Sequence, residues 1–362
     1  KFLTPKYRDV SFIMTKTLAK NRENALKDLD TSLSRMKTDY VDLWQVHALE
    51  NPKDVEERVQ NGVLDAFLEA KKAGKARHIG FTGHDKPESF TRIIETEDAS
   101  MSAAIMLPDA TPANLAAIGW LKPHFVTDAG QLISSVHSLL VESCGQRIVI
   151  DTCLGNDKTR IVPQWNRRQG RFLDEIAAAG FARERVDFVV CTHLHPDHVG
   201  WNTMLVDGRW LPTFPSARYI FSAQDWAWLD QAPVSALGDF AGDSVRPVFD
   251  SGQGECVAPD FRITDEVWLE STPGHSPGHV SIRIASRGEQ AVVTGDLMHH
   301  PCQLARPHWS SPFDFDKPMA LRTRLDFISR YGDTPVLVFG SHFATPSAGR
   351  IVRDGDAWRL AL

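Results

Sequence analysis

Apolar and polar positions follow different patterns in the two parts of this 362-residue chain. Up to about residue 95, short apolar runs alternate with stretches in which apolar residues recur every three or four positions, the period of an amphipathic helix. The predicted strands span 10–15, 40–46 and 78–81, and the predicted helices span 22–36 and 63–73, with Gly74 ending the second helix. Alternation of strands and helices predicts a parallel sheet.

The pattern changes after residue 97. Residues 99–117 are small, polar and interrupted by proline, which predicts a linker or an excursion. We therefore divide the chain into residues 1–97, a linker or excursion over 98–124, and a second domain over 125–362.

The second domain contains many predicted strands. Apolar runs on both sides of a short glycine turn predict a hairpin over 138–152, and the C-terminal residues predict another hairpin with Asp354 and Gly355 at its turn. Further strands are predicted over 186–192, 217–221, 261–285 as a pair, 291–295 and 335–339, and helices over 172–179, 318–331 and from about 223.

Composition restricts the partners and the location of the protein. A net charge of −6 offers no basic surface for nucleic acid, and no apolar run approaches the roughly 18–20 residues that cross a bilayer. The five cysteines are odd in number and lack Cys-x-x-Cys spacing, which favours free thiols in a reducing compartment. With no signal segment in the given chain, we expect a cytoplasmic protein with neither nucleic acid nor membrane as partner.

The most specific motif is His193-Leu-His195-Pro-Asp197-His198, which follows the apolar run 186–192. In extended chain, His193 and His195 point the same way, and Pro196 then turns the backbone so that Asp197 and His198 face a second point. Neutral imidazoles and carboxylates are ligands for Zn²⁺ and related ions. The motif therefore predicts a site for two neighbouring divalent cations.

This motif resembles the signature of the metallo-β-lactamase superfamily, His-x-His-x-Asp-His after a strand. Three later residues match the remaining ligands of that family in order: His275 in Thr-Pro-Gly-His, Asp296 in Val-Thr-Gly-Asp and His342 in Phe-Gly-Ser-His. The resemblance covers about 100–362 and implies an α/β fold, the αββα sandwich of that superfamily.

The resemblance also implies roles. By the family pattern, His193, His195 and His275 would hold one cation, Asp197, His198 and His342 the other, and Asp296 would bridge them. Two cations that share a water molecule lower its pKa from 15.7 towards about 7. Asp197 and Asp296 are the expected catalytic residues, because Asp197 would orient the hydroxide and relay a proton to the leaving group.

Four further residues are expected beside the ligands. Asp151 matches a buried family carboxylate and would accept a hydrogen bond from a ligand imidazole, unless it is only a buried turn residue. His279 is the alternative to His275 as a ligand. His299 and His300 either line the pocket, where they could donate to an oxyanion, or are structural.

The first 95 residues resemble the aldo-keto reductase family. The segments that carry this resemblance are Thr15-Lys16-Thr17, 39–47 and 74–81, and Lys16 and His47 match the catalytic lysine and histidine of that family. The family's catalytic Asp and Tyr have no counterpart in this chain, and three of eight strands cannot close a barrel. We therefore expect a partial βα-barrel-like fragment without a bound nicotinamide cofactor.

The sequence segments around 197–202 and 295–301 look most like the branch of the superfamily that contains lactonases, arylesterases and the methyl parathion hydrolase type of phosphotriesterase. We expect a dinuclear zinc hydrolase of small ester-like substrates: a lactone, a carboxylic ester or a phosphotriester, in that order. The alternatives are β-lactam or thioester hydrolysis at the same site, an NADPH-dependent aldo-keto reductase, or a non-catalytic metal-binding protein. A homodimer is expected by analogy alone.

Overall fold

A computed structural model describes residues 13–49, 52–83, 106–231 and 238–362. The chain divides into two units, residues 1–93 and 94–362. None of the described helices has the length and apolarity needed to cross a membrane.

The first unit is a three-stranded parallel sheet with helices. Its elements are β1 (Met14–Thr17), α1 (Arg22–Met36), β2 (Val41–Leu49), α2 (Pro52–Gln60), α3 (Val63–Lys72) and β3 (Ala76–Gly83). The strands pair in the order β1–β2–β3, all parallel, which confirms the predicted topology of a partial barrel. Residues 10–12 of the first predicted strand lie outside the described residues.

Local signals account for the ends of these helices. The Asn21 side chain accepts a hydrogen bond from the Asn24 amide at the start of α1, as expected of an N-cap. Gly74, with φ of +74°, follows α3 as predicted. The core of this unit includes Trp44 stacked on Phe67 with ring centroids 3.7 Å apart.

The second unit contains thirteen strands and eight helices of the α type among its described residues. They are α4 (Pro112–Ala116), β4 (Leu139–Ser143), β5 (Gln146–Ile150), α5 (Phe172–Ala178), β6 (Phe188–Val190), α6 (Pro196–Val199), β7 (Thr203–Val206), β8 (Arg209–Pro212), β9 (Arg218–Ser222), α7 (Ala223–Gln231), α8 (Phe240–Ser244), α9 (Arg246–Asp250), β10 (Gly254–Val257), β11 (Val267–Ser271), β12 (Val280–Ser286), β13 (Glu289–Val293), α10 (Cys302–Ala305), α11 (Lys317–Tyr331), β14 (Leu337–Phe339), β15 (Ala348–Asp354) and β16 (Ala357–Ala361).

These strands form two large sheets. The first has the order β10–β9–β6–β5–β4 and is parallel except for the β4–β5 hairpin. The second has the order β11–β12–β13–β14–β15–β16 and is antiparallel except for the β13–β14 pair. The short β7–β8 hairpin and strand β10 carry weak apolar patterns, and the sequence analysis missed them.

Alternation along the strands produces the layers. In β5, Ile148 and Ile150 join a core that both sheets share, whereas Val149 faces the other way, into a core with α5, α7 and α8. In β13, Val293 faces the shared core and Val292 the core beneath α11. Helices therefore cover both outer faces, and the predicted αββα sandwich is confirmed.

The predicted linker over 98–124 differs from the structure in its described part. From residue 106 onward this segment supplies buried apolar side chains to the core beneath α11, among them Leu107, Leu115 and Leu121. Its small and proline-rich composition reflects short helical turns packed on the sheet rather than an exposed connection. Residues 98–105 lie outside the described residues.

This packing makes a testable prediction. Leu107 is fully buried, so Leu107→Ala should lower the free energy of unfolding of the second unit by about 2–5 kcal/mol. Leu325→Ala is the matched control, because Leu325 is 47% exposed on α11 and its truncation should change stability by no more than about 0.5 kcal/mol. Denaturant titration of the intact chain measures both, and equal effects would contradict the assignment of residue 107 to the core.

Candidate metal centre

The ends of five strands converge on one buried site. The signature motif follows β6, the loop 272–279 connects β11 to β12, Asp296 follows β13 and His342 follows β14. Residues that follow neighbouring strands lie at the same end of the sheet, and residues distant in sequence therefore come together here.

The seven predicted ligands lie in overlapping groups. Donor atoms within each group lie within 4.8 Å of one another: His193, His195 and His275 form one group, Asp197, His198 and His342 another, and His193, His198 and Asp296 a third. All seven are buried, and His195 and Asp197 are the most exposed at 9% and 7%.

Asp296 lies between the first two groups. Its Oδ1 is 3.2 Å from His198 Nε2 and 3.2 Å from His342 Nε2. Its Oδ2 is 3.4 Å from His275 Nε2 and 3.8 Å from His193 Nε2. The two oxygens of one carboxylate therefore face different groups of imidazoles, as a bridging ligand requires.

Two donor atoms in this centre make no hydrogen bond. His193 Nε2 and Asp296 Oδ1 are buried and lack hydrogen bonds, although a buried polar atom without a partner costs about 1–3 kcal/mol. His195 Nδ1 and His275 Nε2 also approach to 2.9 Å. A set of nitrogen and oxygen donors that converges in this way fits a pair of divalent cations such as Zn²⁺.

The electrostatics differ between the two groups of imidazoles. Burial opposes ionisation of Asp296, but the surrounding imidazoles, led by His342 and His198, hold its pKa well below the usual value. Burial lowers the pKa of His193 and of His275 well below the usual value. Asp296, in contrast, raises the pKa of His198 well above the usual value and also raises that of His342, although burial opposes both shifts. An ionised carboxylate and neutral imidazoles are the forms that bind metal ions, so cation binding at the second group would release the protons of these two rings.

Other contacts orient the imidazoles. Asp151 Oδ2 lies 2.8 Å from His198 Nδ1, the contact predicted for this residue. His342 Nδ1 donates to the Ser135 carbonyl at 2.9 Å. These contacts at Nδ1 fix the orientation of each ring and direct its Nε2 to the centre. The Asp151 backbone has a φ of +54°, a conformation that costs a non-glycine residue free energy and is concentrated at functional sites.

One such partner was not predicted from the sequence. Asp314 Oδ1 lies 3.0 Å from His275 Nδ1, and Asp314 Oδ2 accepts the Ser311 amide at 3.1 Å. Asp314 lies in the segment 310–316, directly before α11, and this segment contains no recognisable sequence motif. The pairing of a carboxylate with a ligand histidine is nevertheless a common feature of metal sites.

The contacts of the four other histidines near the centre distinguish their roles. His279 Nε2 accepts the Asp296 amide at 2.9 Å and its Nδ1 contacts Thr272 Oγ1, so the ring supports Asp296 and His275 remains the candidate ligand. His300 donates to the Phe125 carbonyl and accepts the Cys302 amide. Both of its nitrogens are used, and His300 is therefore structural rather than a pocket residue.

His299 is different from these residues. Its Nε2 lies 3.4 Å from Asp296 Oδ2, and its Nδ1 is buried without a hydrogen-bond partner. The remaining nearby ring, His137, contacts Ser135 Oγ at 2.8 Å and lies in the loop before β4. Of the two adjacent histidines that the sequence singled out, only His299 faces the centre.

Comparison with known proteins supports both resemblances seen in the sequence. The sequence model of the metallo-beta-lactamase superfamily matches residues 133–342, and that of the aldo/keto reductase family matches residues 1–110. In the first unit, Lys16 is exposed on β1, and His47 is half-buried on the neighbouring strand β2.

Solved structures share the fold of the second unit. The dizinc quorum-quenching lactonase AidC, in complex with a product, is 20% identical with a TM-score of 0.58, over 73% of this chain and 90% of that chain. The hydrolase AbOPH of the beta lactamase superfamily is 22% identical with a TM-score of 0.59, over 74% and 92%. A probable metal-dependent hydrolase from Staphylococcus aureus is 19% identical with a TM-score of 0.56, over 74% and 93%.

The contact between Asp314 and His275 makes the second prediction. Asp314→Asn should weaken binding of one cation by about 10–100-fold, because the imidazole loses the acceptor that orients it. Competition between the protein and a chromophoric chelator for Zn²⁺ measures this affinity. Asp326→Asn, the same change at a carboxylate that is 65% exposed on α11, is the control and should bind as the unaltered protein does. Equal affinities in the two variants would refute the role of Asp314.

Proposed function

We propose that this chain, which belongs to the metallo-beta-lactamase superfamily and is a metal-dependent hydrolase, binds two divalent cations, Zn²⁺ by its donor set, and cleaves small ester-like substrates. The observation that carries the proposal is the position of Asp296, whose two oxygens face separate groups of buried imidazoles. A single cation would leave one of these two groups of imidazoles without a bound ion.

The residues would divide between the two cations by position. His193, His195 and His275 would hold one, Asp197, His198 and His342 the other, with Asp296 between them. Two bound cations supply a water molecule of lowered pKa and polarise the substrate oxygen. The protein supplies the fixed geometry of the ligands, because Asp151 and Asp314 accept hydrogen bonds from His198 and His275 and so orient these rings.

Asp197 is the proposed proton carrier. Its carboxylate is among the most exposed of the donor groups and lies 3.5 Å from His342 Nε2. A carboxylate at the accessible side of the centre can hold the attacking water and pass its proton to the leaving group. Substrate would therefore approach from the side of Asp197 and His195.

His299 is the proposed donor to the developing oxyanion. Its Nε2 lies 3.4 Å from Asp296 Oδ2, at the centre, whereas His279 and His300 use both ring nitrogens in hydrogen bonds within the protein. A fixed donor aimed at the place where negative charge develops accelerates acyl transfer by lowering the barrier.

Lactones are the first substrate class to test, followed by carboxylic esters and phosphotriesters. The same hydrolytic chemistry would act on a β-lactam or a thioester, and the similar lactonase structure supports the choice of lactone only through a shared fold. The decisive experiment combines metal analysis of the purified protein with lactone, p-nitrophenyl ester, phosphotriester, thioester and cephalosporin substrates. Each is assayed before and after chelation and after Zn²⁺ is added back. Full turnover in demetallated protein would overturn the proposal.

The third prediction concerns Asp296. Asp296→Ala removes the carboxylate that faces both groups, so the protein should retain at most one equivalent of zinc and lose ester hydrolysis by at least about 10³-fold. Metal analysis and initial rates check this pair of effects. Asp333→Ala, at an exposed turn before β14, is the control for general loss of an acidic side chain. Unchanged zinc content in Asp296→Ala would exclude a bridging role.

The fourth prediction concerns His299. Since this residue is proposed to donate to the oxyanion rather than to bind metal, His299→Gln should lower kcat by about 10²–10³-fold with zinc content unchanged. His308→Gln is the matched control, because His308 is exposed and should leave kcat intact. Loss of zinc from His299→Gln would instead make His299 a ligand, and an unchanged kcat would remove it from the mechanism.

A further inference from the structure

The first turn of α7 carries a buried carboxylate that belongs to none of the ligand groups. Asp225 is 1% exposed and accepts three hydrogen bonds. Its Oδ1 accepts the Gly278 amide at 2.6 Å, and its Oδ2 accepts the Ser276 hydroxyl at 2.8 Å and the Leu194 amide at 3.2 Å. Burial of an ionised carboxylate costs free energy, which these three donors offset.

The three donors lie on two different loops, and two of them are next to proposed ligands. Leu194 separates His193 from His195 in the signature motif, and Ser276 directly follows His275. These are the three imidazoles of the first ligand group. One side chain on a third element thus bonds to both loops that deliver this group.

We propose that Asp225 is a positioning residue that sets the separation of the signature loop and the loop 272–279, and thereby the cation affinity of the group His193, His195 and His275. The inference rests on the proposed function in requiring a cation at that group. Asp225 contacts no donor imidazole itself, so its effect passes through the backbone of the two loops.

Glycine 278 shows how closely the loop is held against α7. A Cβ at Gly278 would lie 2.4 Å from the Asp225 amide nitrogen and 2.5 Å from Ser222 Oγ. Any side chain would push the loop away from the start of the helix. The next residue, His279, accepts the amide of Asp296. The hydrogen bonds of Asp225 therefore also hold the loop that contacts Asp296.

The second ligand group is held by other contacts. His198 is oriented by Asp151 and His342 by the Ser135 carbonyl. Neither contact involves α7 or the loop 272–279. Loss of the Asp225 carboxylate should therefore act on one of the two cations and leave the other nearly unaffected.

The test is Asp225→Asn, which keeps the shape but replaces one acceptor oxygen with a donor. Zn²⁺ affinities are measured by chelator competition, and the visible spectrum of the Co²⁺-substituted protein reports the geometry of each site. We expect one equivalent to bind about 10–100-fold more weakly, the other to bind normally, and the Co²⁺ spectrum of one site to change. Excess Zn²⁺ should restore the melting temperature of the loaded protein.

The control is Asp187→Asn, the same change at the opposite end of β6, where Asp187 accepts the Arg147 amide. It should bind both equivalents with normal affinity. Ser276→Ala removes one donor to Asp225 and should weaken the same equivalent by a smaller factor, which decides the question if Asp225→Asn fails to fold.

Two outcomes would overturn the inference while leaving the proposed function intact. Normal binding of both equivalents in Asp225→Asn would show that the hydrogen bonds of Asp225 do not affect cation affinity. Equal weakening of both equivalents, with the metal-free protein melting lower by the same amount as the loaded protein, would show a general structural role. If the unaltered protein binds fewer than two equivalents, the proposed function fails first, and this inference fails with it.

Discussion

The convergence of Asp296 and five imidazoles in one buried volume is the constraint on which the rest of the second unit depends. Burying this many polar side chains away from water costs free energy, and two of the buried donor atoms make no hydrogen bond. The fold therefore brings together a set of nitrogen and oxygen donors whose chemistry fits divalent cations.

In the sandwich, different elements position the ligands and orient their rings. Strand ends deliver the ligands, and neighbouring loops and helices supply the groups that hold each ring: Asp151 for His198, Asp314 for His275 and the Ser135 carbonyl for His342. Each acceptor comes from a different part of the chain from its ring. Because these acceptors fix the imidazoles, the protein itself sets the geometry of the donor atoms.

The sequence predicted what is local or periodic, and failed where three-dimensional proximity decides. The signature motif carries four donors in six residues, so its chemistry is readable without a structure. The parallel sheet of the first unit and the layers of the second follow from apolar periodicity. Asp314 and Asp225 have no motif, because their meaning lies in contacts with residues 39 and 31–53 positions away. His299 and His300 are neighbours of the same type, and only the partners of their ring nitrogens distinguish them.

Residues 106–121 bear on the extent of the second unit. The family match begins at residue 133, yet the core beneath α11 already includes Leu107, Leu115 and Leu121. That core also contains Val292 and Leu297, on either side of Asp296. Residues 106–121 therefore pack against the residues that support Asp296. Apolar packing of this kind limits how far a strand end can shift, so a segment without any catalytic motif helps to hold Asp296 at the distance its neighbours require.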